Sequence, residues 1–265
     1  MLRRVSTTRL AIELSLALIL GLAWTADVKA DSPAKGSEAT AGRAATALKK
    51  AAKHDKYLFI FFFQDAEDMQ TRTMYGVFRK ALEKMKDRAD GLGVNIADPA
   101  EKPIVEQFRA RGAPMPMVLA IAPTGAATKA FPKQFDAAQL QEAFVSPCTA
   151  KCMRAIQDRR SILLCVQNKK TKENKEALDG AKEFQNDPKY TKGIDIIMLD
   201  PADKAEQRFL KDLEVDPRTA TAVTLLVMPP GAPVAHFTGA LTKEAIETAV
   251  TAAQSSCGPG CSCHH

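Results

Sequence analysis

Two segments of the chain repeat the same order of structural signals, and this repetition constrains the fold more than any other feature. Residues 94–125 and residues 196–231 each begin with an apolar strand pattern and continue through Asp-Pro-Ala into a helical pattern. Both segments end in a second apolar run and a glycine-containing turn. Repetition at this spacing indicates a duplicated domain rather than a solenoid.

The apolar runs predict the same element order twice, β-α-β-α-β-β-α, with a further helix before the first strand. In the first repeat we expect strands at 56–63, 92–96, 117–121 and 127–131 and helices at 43–53, 71–88, 103–109 and 137–144. In the second repeat we expect strands at 161–166, 194–199, 223–228 and 234–237 and helices at 172–184, 202–213 and 243–253. Uninterrupted apolar runs such as KYLFIFFF at 56–63 are typical of strands covered on both faces. The prediction is an α/β fold with two central mixed sheets, each flanked by helices.

Several short motifs, in this order, resemble the thioredoxin superfamily. The segment RGAPMPMVL at 111–119 resembles the part of that family that contains a cis proline, and its distance to the Gly125 turn favours Pro116 over Pro114. Val223 stands at the corresponding position of the second repeat, and GALTK at 239–243 resembles the start of the family's last helix. The resemblance covers 43–146 and 155–254 and implies two tandem thioredoxin-like domains.

The family's reactive cysteines are missing from both repeats. They would fall near Glu67 and Gln70 in the first repeat, and the turn of the second repeat reads VQNKKTKEN, again without cysteine. A thiolate is the nucleophile of thiol–disulfide exchange, so neither turn has one. We therefore favour a non-catalytic role for both domains, as binding surfaces or scaffold, because fold alone does not imply function.

Cys148 and Cys152 lie at the junction of the repeats, in SPCTAKCMRAIQ. Ser146 as N-cap and Pro147 in the first turn predict a helix start there, which places both thiols on one helix face. The helix N-terminus would favour their thiolates. The pair is therefore a candidate for metal binding, for a disulfide, or for two packed thiols. Cys165, in the apolar run SILLCV, is expected to be buried in the core.

The last nine residues, CGPGCSCHH, carry the strongest chemical signal of the chain. The potential ligands in this tail are Cys257, Cys261, Cys263, His264 and His265. Thiolate and imidazole suit Zn²⁺ and Cu(I), so these residues predict a soft-metal site. A disulfide with an additional exposed thiol is the alternative in an oxidising compartment.

A basic start, an apolar run and a small-residue site predict a cleaved signal peptide. Arg3, Arg4 and Arg9 precede an apolar stretch of 11 residues at 14–24, and Val-Lys-Ala at 28–30 predicts cleavage before Asp31. Eleven apolar residues are too few for a permanent membrane anchor, and no nearby cysteine suggests a lipid anchor. The chain is expected in the periplasm or outside the cell.

The charge distribution argues against nucleic acid as a partner. The net charge of +6 falls to +4 without residues 1–30, which carry four basic and two acidic side chains. Lysines at 169, 170, 172 and 175 alternate with Glu173 and Glu176, which is typical of a solvated helix face. No basic stripe carries interleaved aromatic residues.

Together these patterns divide the chain into a signal peptide (1–30), a flexible leader (31–42), two domains (43–146 and 147–254) and a Cys/His-rich tail (255–265). The favoured function is an exported, non-catalytic protein that binds Cu(I) or Zn²⁺ through its tail. The alternative is a periplasmic thiol–disulfide oxidoreductase, or redox partner, that uses Cys148, Cys152 and the tail cysteines. The sequence leaves open whether a protein partner is bound.

Overall fold

A computed structural model of the protein describes residues 42–191 and 193–255. These residues form two compact units, and the boundary between the units falls between Val145 and Ser146. We call the units domain 1 (42–145) and domain 2 (146–191 and 193–255). Each domain contains one four-stranded sheet.

Domain 1 has the order α-β-α-β-α-β-β-α. Its elements are α1 (Arg43–Lys53), β1 (Tyr57–Phe63), α2 (Met69–Met85), β2 (Ala89–Asn95), α3 (Lys102–Gln107), β3 (Met117–Ile121), β4 (Ala127–Pro132) and α4 (Ala137–Gln141). The strands lie in the order β2-β1-β3-β4, with β1 parallel to β2 and antiparallel to β3. The central strand β1 is apolar throughout because helices cover both faces of the sheet. Leu58, Ile60 and Phe62 pack with α1 and α3 on one face, whereas Phe61 contacts the Phe78 ring of α2 on the other.

Domain 2 repeats this architecture. Its elements are α5 (Pro147–Gln157), β5 (Ser161–Val166), α6 (Asn174–Asn186), β6 (Ile194–Leu199), α7 (Gln207–Asp212), β7 (Val223–Met228), β8 (Ala232–Thr238) and α8 (Lys243–Ser255). The strand order β6-β5-β7-β8 and the strand directions match those of domain 1. The predicted α/β fold with two tandem thioredoxin-like domains is confirmed by this duplicated sheet topology.

Several predicted boundaries were wrong where local polar chemistry decides the end of an element. Strand β2 begins at Ala89 rather than at 92, because its pairing with β1 outweighs the weak strand propensity of Asp90 and Gly91. Helix α6 begins at Asn174 rather than at 172, because Lys172 forms a β-bridge with Thr221. The helix expected at 202–213 is interrupted, since a 3-10 turn (Lys204–Glu206) precedes α7.

A buried glutamate fixes the first helix of each domain. Glu101, only 1% exposed, accepts the N–H of Ala44 in the first turn of α1 at 3.1 Å. Glu206, 3% exposed, accepts the N–H of Cys148 in the first turn of α5 at 2.8 Å. The unpaired N–H groups and the positive end of a helix dipole suit a carboxylate at this position.

The two capping glutamates also correct the alignment of the repeats. The Asp98 and Asp203 side chains each accept the N–H two residues on, three residues before the capping glutamate. Asp98 therefore corresponds in position to Asp203. The second Asp-Pro-Ala motif, at 200–202, begins three residues before the position that corresponds to the first. Spatial equivalence follows the spacing Asp-x-Ala-Glu, not the more conspicuous Asp-Pro-Ala.

Among residues 42–191 and 193–255, no helix combines the length and apolar character needed to cross a membrane. The expected signal peptide and leader at 1–41 lie outside the described residues.

We expect Glu101→Ala to lower the free energy of unfolding by about 1–3 kcal/mol, because the buried N–H of Ala44 loses its acceptor. Urea unfolding followed by circular dichroism measures this change. Glu106→Ala is the matched control, since Glu106 is exposed and pairs only loosely with Lys102. Its effect should stay within about 0.5 kcal/mol, and equal effects of the two substitutions would show that the Glu101 cap does not stabilise the fold.

Candidate functional site

The turn after β1 in domain 1, residues 64–68, carries carboxylates and no thiol. Asp68 begins α2 by accepting the N–H of Thr71 at 2.8 Å, and Asp65 accepts the N–H of Glu67 at 2.8 Å. Met69, the first residue of α2, is 81% exposed. Without a thiolate this turn cannot attack a disulfide, so it presents an exposed acidic surface with one apolar side chain.

Pro116 belongs to the same site. The Met115–Pro116 peptide bond is cis, so Pro116 rather than Pro114 is the cis proline of this segment. The Pro116 carbonyl accepts the N–H of Lys133 at 2.7 Å, and the Lys133 carbonyl accepts Nε2 of Gln70 at 3.2 Å. These two bonds connect the start of α2 to the cis-proline segment, which places the turn without cysteines beside it.

In domain 2 the corresponding turn is closed by backbone pairing. The N–H of Lys172 donates to the carbonyl of Ala220, and the N–H of Ala222 donates to the carbonyl of Lys172, both at 2.9 Å. Glu173, which has a positive φ of 60°, accepts the N–H of Ala240 through its carboxylate at 2.7 Å. The turn at 167–173 therefore occupies the backbone groups of the 220–222 segment.

The residue at the proline position explains this closure. In the strand registers Val223 corresponds to Met117, so Ala222 is the counterpart of Pro116. The expectation that Val223 stands at that position is wrong by one residue. Proline has no N–H, whereas Ala222 donates its N–H to Lys172. Because alanine stands where domain 1 has proline, domain 2 gains one of the two hydrogen bonds that join the turn to residues 220–222.

Cys148 and Cys152 lie in the first turns of α5, as the spacing predicts. Ser146 caps the helix and Pro147 follows in its first turn. Cys148 is 5% exposed and Cys152 is half-buried, and both pack against the core that α5 and α7 form on the sheet. Both cysteines are free thiols in this structure.

The surroundings of Cys148 oppose the thiolate that the helix N-terminus was expected to favour. Its pKa is raised above the ordinary thiol value, first by the hydrogen bond with the Cys152 thiol, and then by burial and the nearby charges of Cys152 and Glu206. The helix end already holds the carboxylate of Glu206, whose negative charge offsets the positive end of the helix dipole. Burial also raises the pKa of Cys165 to about 11, in agreement with its expected place in the core.

The five predicted tail ligands, Cys257, Cys261, Cys263, His264 and His265, lie outside the described residues. Helix α8 ends at Ser255, two residues before the first of them. In the part of the chain that the structure describes, no group of three or more His, Cys, Asp or Glu side chains is placed to hold a metal ion.

Sequence reasoning missed Glu206, whose carboxylate accepts the N–H of Cys148 and is one of the groups that raise the pKa of that thiol. The signal was present as Asp-x-Ala-Glu, which occurs at 98–101 and at 203–206. It was obscured because a buried glutamate that caps a distant helix has the same local pattern as an exposed one.

No family model and no curated protein matches the chain. Among solved structures it is similar to thioredoxin O2 from Arabidopsis thaliana in the oxidized state, at 16% identity over 37% of this chain and 79% of that one, with a TM-score of 0.30. The first two thioredoxin domains of Saccharomyces cerevisiae Eps1p match at 12% identity over 84% of this chain and 99% of that one, with a TM-score of 0.29. The zinc-bound form of human ERp44 matches at 9% identity over 81% of this chain and 60% of that one, with a TM-score of 0.33. The fold assignment comes from the sheet topology of the chain itself.

We expect iodoacetamide at pH 8 to modify Cys152 before Cys148 and Cys165, because only Cys152 of these three thiols is partly exposed. Peptide mass spectrometry over time gives the order, and a denatured sample, in which the three thiols should react alike, is the control. Modification of Cys148 as fast as Cys152 would contradict the buried position of Cys148.

Proposed function

We propose that this tandem thioredoxin-like protein is exported and non-catalytic, and that it binds a soft metal ion through its tail. The observation that carries the proposal is the concentration of donors in CGPGCSCHH, where five of nine residues are cysteine or histidine. The metal is Cu(I) or Zn²⁺.

The donor set suits these ions. Three thiolates and one imidazole supply the four ligands of a tetrahedral Zn²⁺ site. Cu(I) prefers soft thiolate ligands, which Cys257, Cys261 and Cys263 supply. Gly258, Pro259 and Gly260 lie between the first two cysteines and favour a turn that brings them together.

The non-catalytic role follows from the two turns. Neither the turn at 64–68 nor the turn at 167–173 contains a thiol, and the second is tied to residues 220–222 by its own backbone. The domains then serve as a scaffold that carries the tail. The cis-proline segment of domain 1 is left as the surface for a protein partner.

We expect the protein to retain about one Cu or Zn ion per chain when it is purified under reducing conditions after export, and to lose it when residues 257–265 are deleted. Metal analysis of both forms measures this. The control is Cys148→Ser with Cys152→Ser, which should keep the metal. Absence of metal, or retention after the deletion, would disprove the proposed tail site.

Export is checked in the same preparation. Removal of residues 1–30 removes Trp24, the only tryptophan, and with it tryptophan fluorescence.

A second candidate function is thiol–disulfide exchange, since tandem thioredoxin-like domains suggest a redox-related or disulfide-related role. The observation that favours it is the contact between the Cys148 and Cys152 thiols at the start of α5. Cys152 is the partly exposed member, so its thiolate would attack a partner's disulfide and release one partner sulfur as a thiolate. Cys148 would then displace the other, leaving a Cys148–Cys152 disulfide and a reduced partner.

The helix limits the rate of this second step. Residues four apart on a helix have Cβ atoms about 5–6 Å apart, whereas a disulfide needs about 3.5–4.5 Å. The first turn of α5 would have to open, which breaks the bond from the Cys148 N–H to Glu206. This requirement ranks exchange by the pair below metal binding by the tail.

If the pair exchanges disulfides, insulin reduction in the presence of dithiothreitol should fall to the uncatalysed rate in Cys148→Ser with Cys152→Ser. The wild-type rate should rise between pH 7 and pH 9, because Cys148 must displace the second partner sulfur as a thiolate and its pKa is raised. Deletion of 257–265 is the control that separates the pair from the tail cysteines. Equal rates for wild type and the double variant would remove this candidate.

A further inference from the structure

Strand β2 lies at the edge of the domain 1 sheet, with half of its backbone groups directed away from β1. The bonds from Tyr57 N–H to the Arg88 carbonyl and from Ile96 N–H to the Phe63 carbonyl set the alternation along the strand. Even-numbered residues of β2 therefore direct their backbone groups toward β1, and odd-numbered residues direct theirs away from it. The outward groups belong to Ala89, Gly91, Gly93 and Asn95, and of these the Asn95 carbonyl already accepts the N–H of Asp98 at 3.1 Å. Within the described residues, no strand pairs with this side of β2.

The equivalent edge of domain 2 is protected at its start. The carbonyl of Ile194, an outward group of β6, accepts the guanidinium of Arg160 at 3.1 Å and Nε2 of Gln185 at 3.2 Å. In domain 1 the corresponding cation, Lys56, bonds instead to the Lys86 carbonyl and to Asp90. Natural proteins use such charged side chains to block edge pairing, and β2 lacks this protection.

The two glycines of β2 make close approach of another strand easy. A Cβ at Gly91 would lie 2.4 Å from a methyl carbon of Leu82, so a larger residue there requires the Leu82 side chain to move. Tyr75 of α2 covers Gly93, and its ring carbon lies 3.4 Å from the place of a Cβ, yet Tyr75 remains 36% exposed. An aromatic ring that covers a glycine of an edge strand helps to fix the register of a sheet.

The surface beside this edge carries both signs of charge. A groove of about 440 Å³ lies between α1, α2 and β2. Its charged lining consists of Lys50, Arg79, Lys86, Glu83 and Asp90. Both signs on one surface allow opposite charges to pair across a twofold axis, where each copy contributes the same patch.

We propose that β2 pairs with β2 of a second copy of the chain, antiparallel about a twofold axis at Leu92. In this register Gly91 of each copy lies opposite Gly93 of the other, and each pair exchanges two N–H···O bonds between outward groups. Leu92, half-buried in the single chain, meets Leu92 of the second copy in a non-hydrogen-bonded pair. Asp90 faces Val94, so no like charges oppose one another. The two domain 1 sheets become one eight-stranded sheet.

Sedimentation velocity over a range of concentrations, with reductant present to exclude disulfide-linked species, tests this pairing. We expect wild type and Gly93→Ala to dimerise, because a Cβ at position 93 meets only ordinary contacts. Gly93→Pro removes an outward N–H from each copy but no bond to β1. The dimer therefore loses two hydrogen bonds, and its Kd should rise roughly thirtyfold. Circular dichroism checks that both variants remain folded. A monomeric wild type, or a dimer of unchanged Kd in Gly93→Pro, would overturn the proposal.

A second variant keeps the test decisive if Gly93→Pro unfolds. Antiparallel residues in a non-hydrogen-bonded pair have Cβ atoms about 4.5–5.5 Å apart, close enough for a disulfide after small adjustment. Leu92→Cys should therefore give a covalent dimer on mild oxidation with diamide, linked between the two introduced thiols. Mass spectrometry of the linked peptides identifies the bond. Linkage only through the natural cysteines would show that the two β2 strands do not meet.

Discussion

The bond between a buried carboxylate and the first turn of a helix supports the structure of each domain. Glu101 and Glu206 follow the second strand of their sheets, yet they hold the helix that precedes the first strand. A buried charge is costly unless it is fully hydrogen-bonded, and the free N–H groups of a helix end provide that compensation. In domain 2 the same carboxylate is also one of the groups that raise the pKa of Cys148. Because Glu206 already occupies the positive end of α5, that end does not stabilise a thiolate there.

The two domains differ at their cysteine-free turns because the residue at the proline position has an N–H donor in one domain and none in the other. Pro116 has no N–H, so it cannot donate the hydrogen bond that Ala222 donates in domain 2. Ala222 has an N–H, and it donates this group to Lys172. The turn of domain 2 is therefore tied to residues 220–222 by its own backbone, whereas the corresponding segment of domain 1 carries a proline that lacks the donor.

None of the thiols of this protein lies in the turns at 64–68 and 167–173. Three lie in the tail, two lie at the start of α5 and one is buried in β5. In the proposed function the two domains support a metal-binding tail, and the proposed pairing between copies lies along the β2 edge. At the start of the β6 edge, the Ile194 carbonyl is already bonded to Arg160 and Gln185.

Much of the fold could be predicted from the sequence because its signals are local. The bounds of α1, β3, β5, β6 and β7 follow directly from apolar runs and helical spacing, and the repeated order predicts the duplication. The spacing of Cys148 and Cys152 places them together on one helix face, and the lack of thiols in both turns can be counted. The start of β2 could not be predicted, because pairing with β1, not strand propensity, orders Ala89, Asp90 and Gly91.

By itself the sequence determined the element order, the duplication and the positions of the thiols. Tertiary structure alone decided that Glu206 lies against the N–H of Cys148, 58 residues away, and that Lys172 closes on Ala222. It also decided which backbone groups of β2 point toward β1 and which point away from it. These outcomes depend on hydrogen bonds between residues far apart in the chain, and no local pattern specifies which donor meets which acceptor until the sheet brings them together.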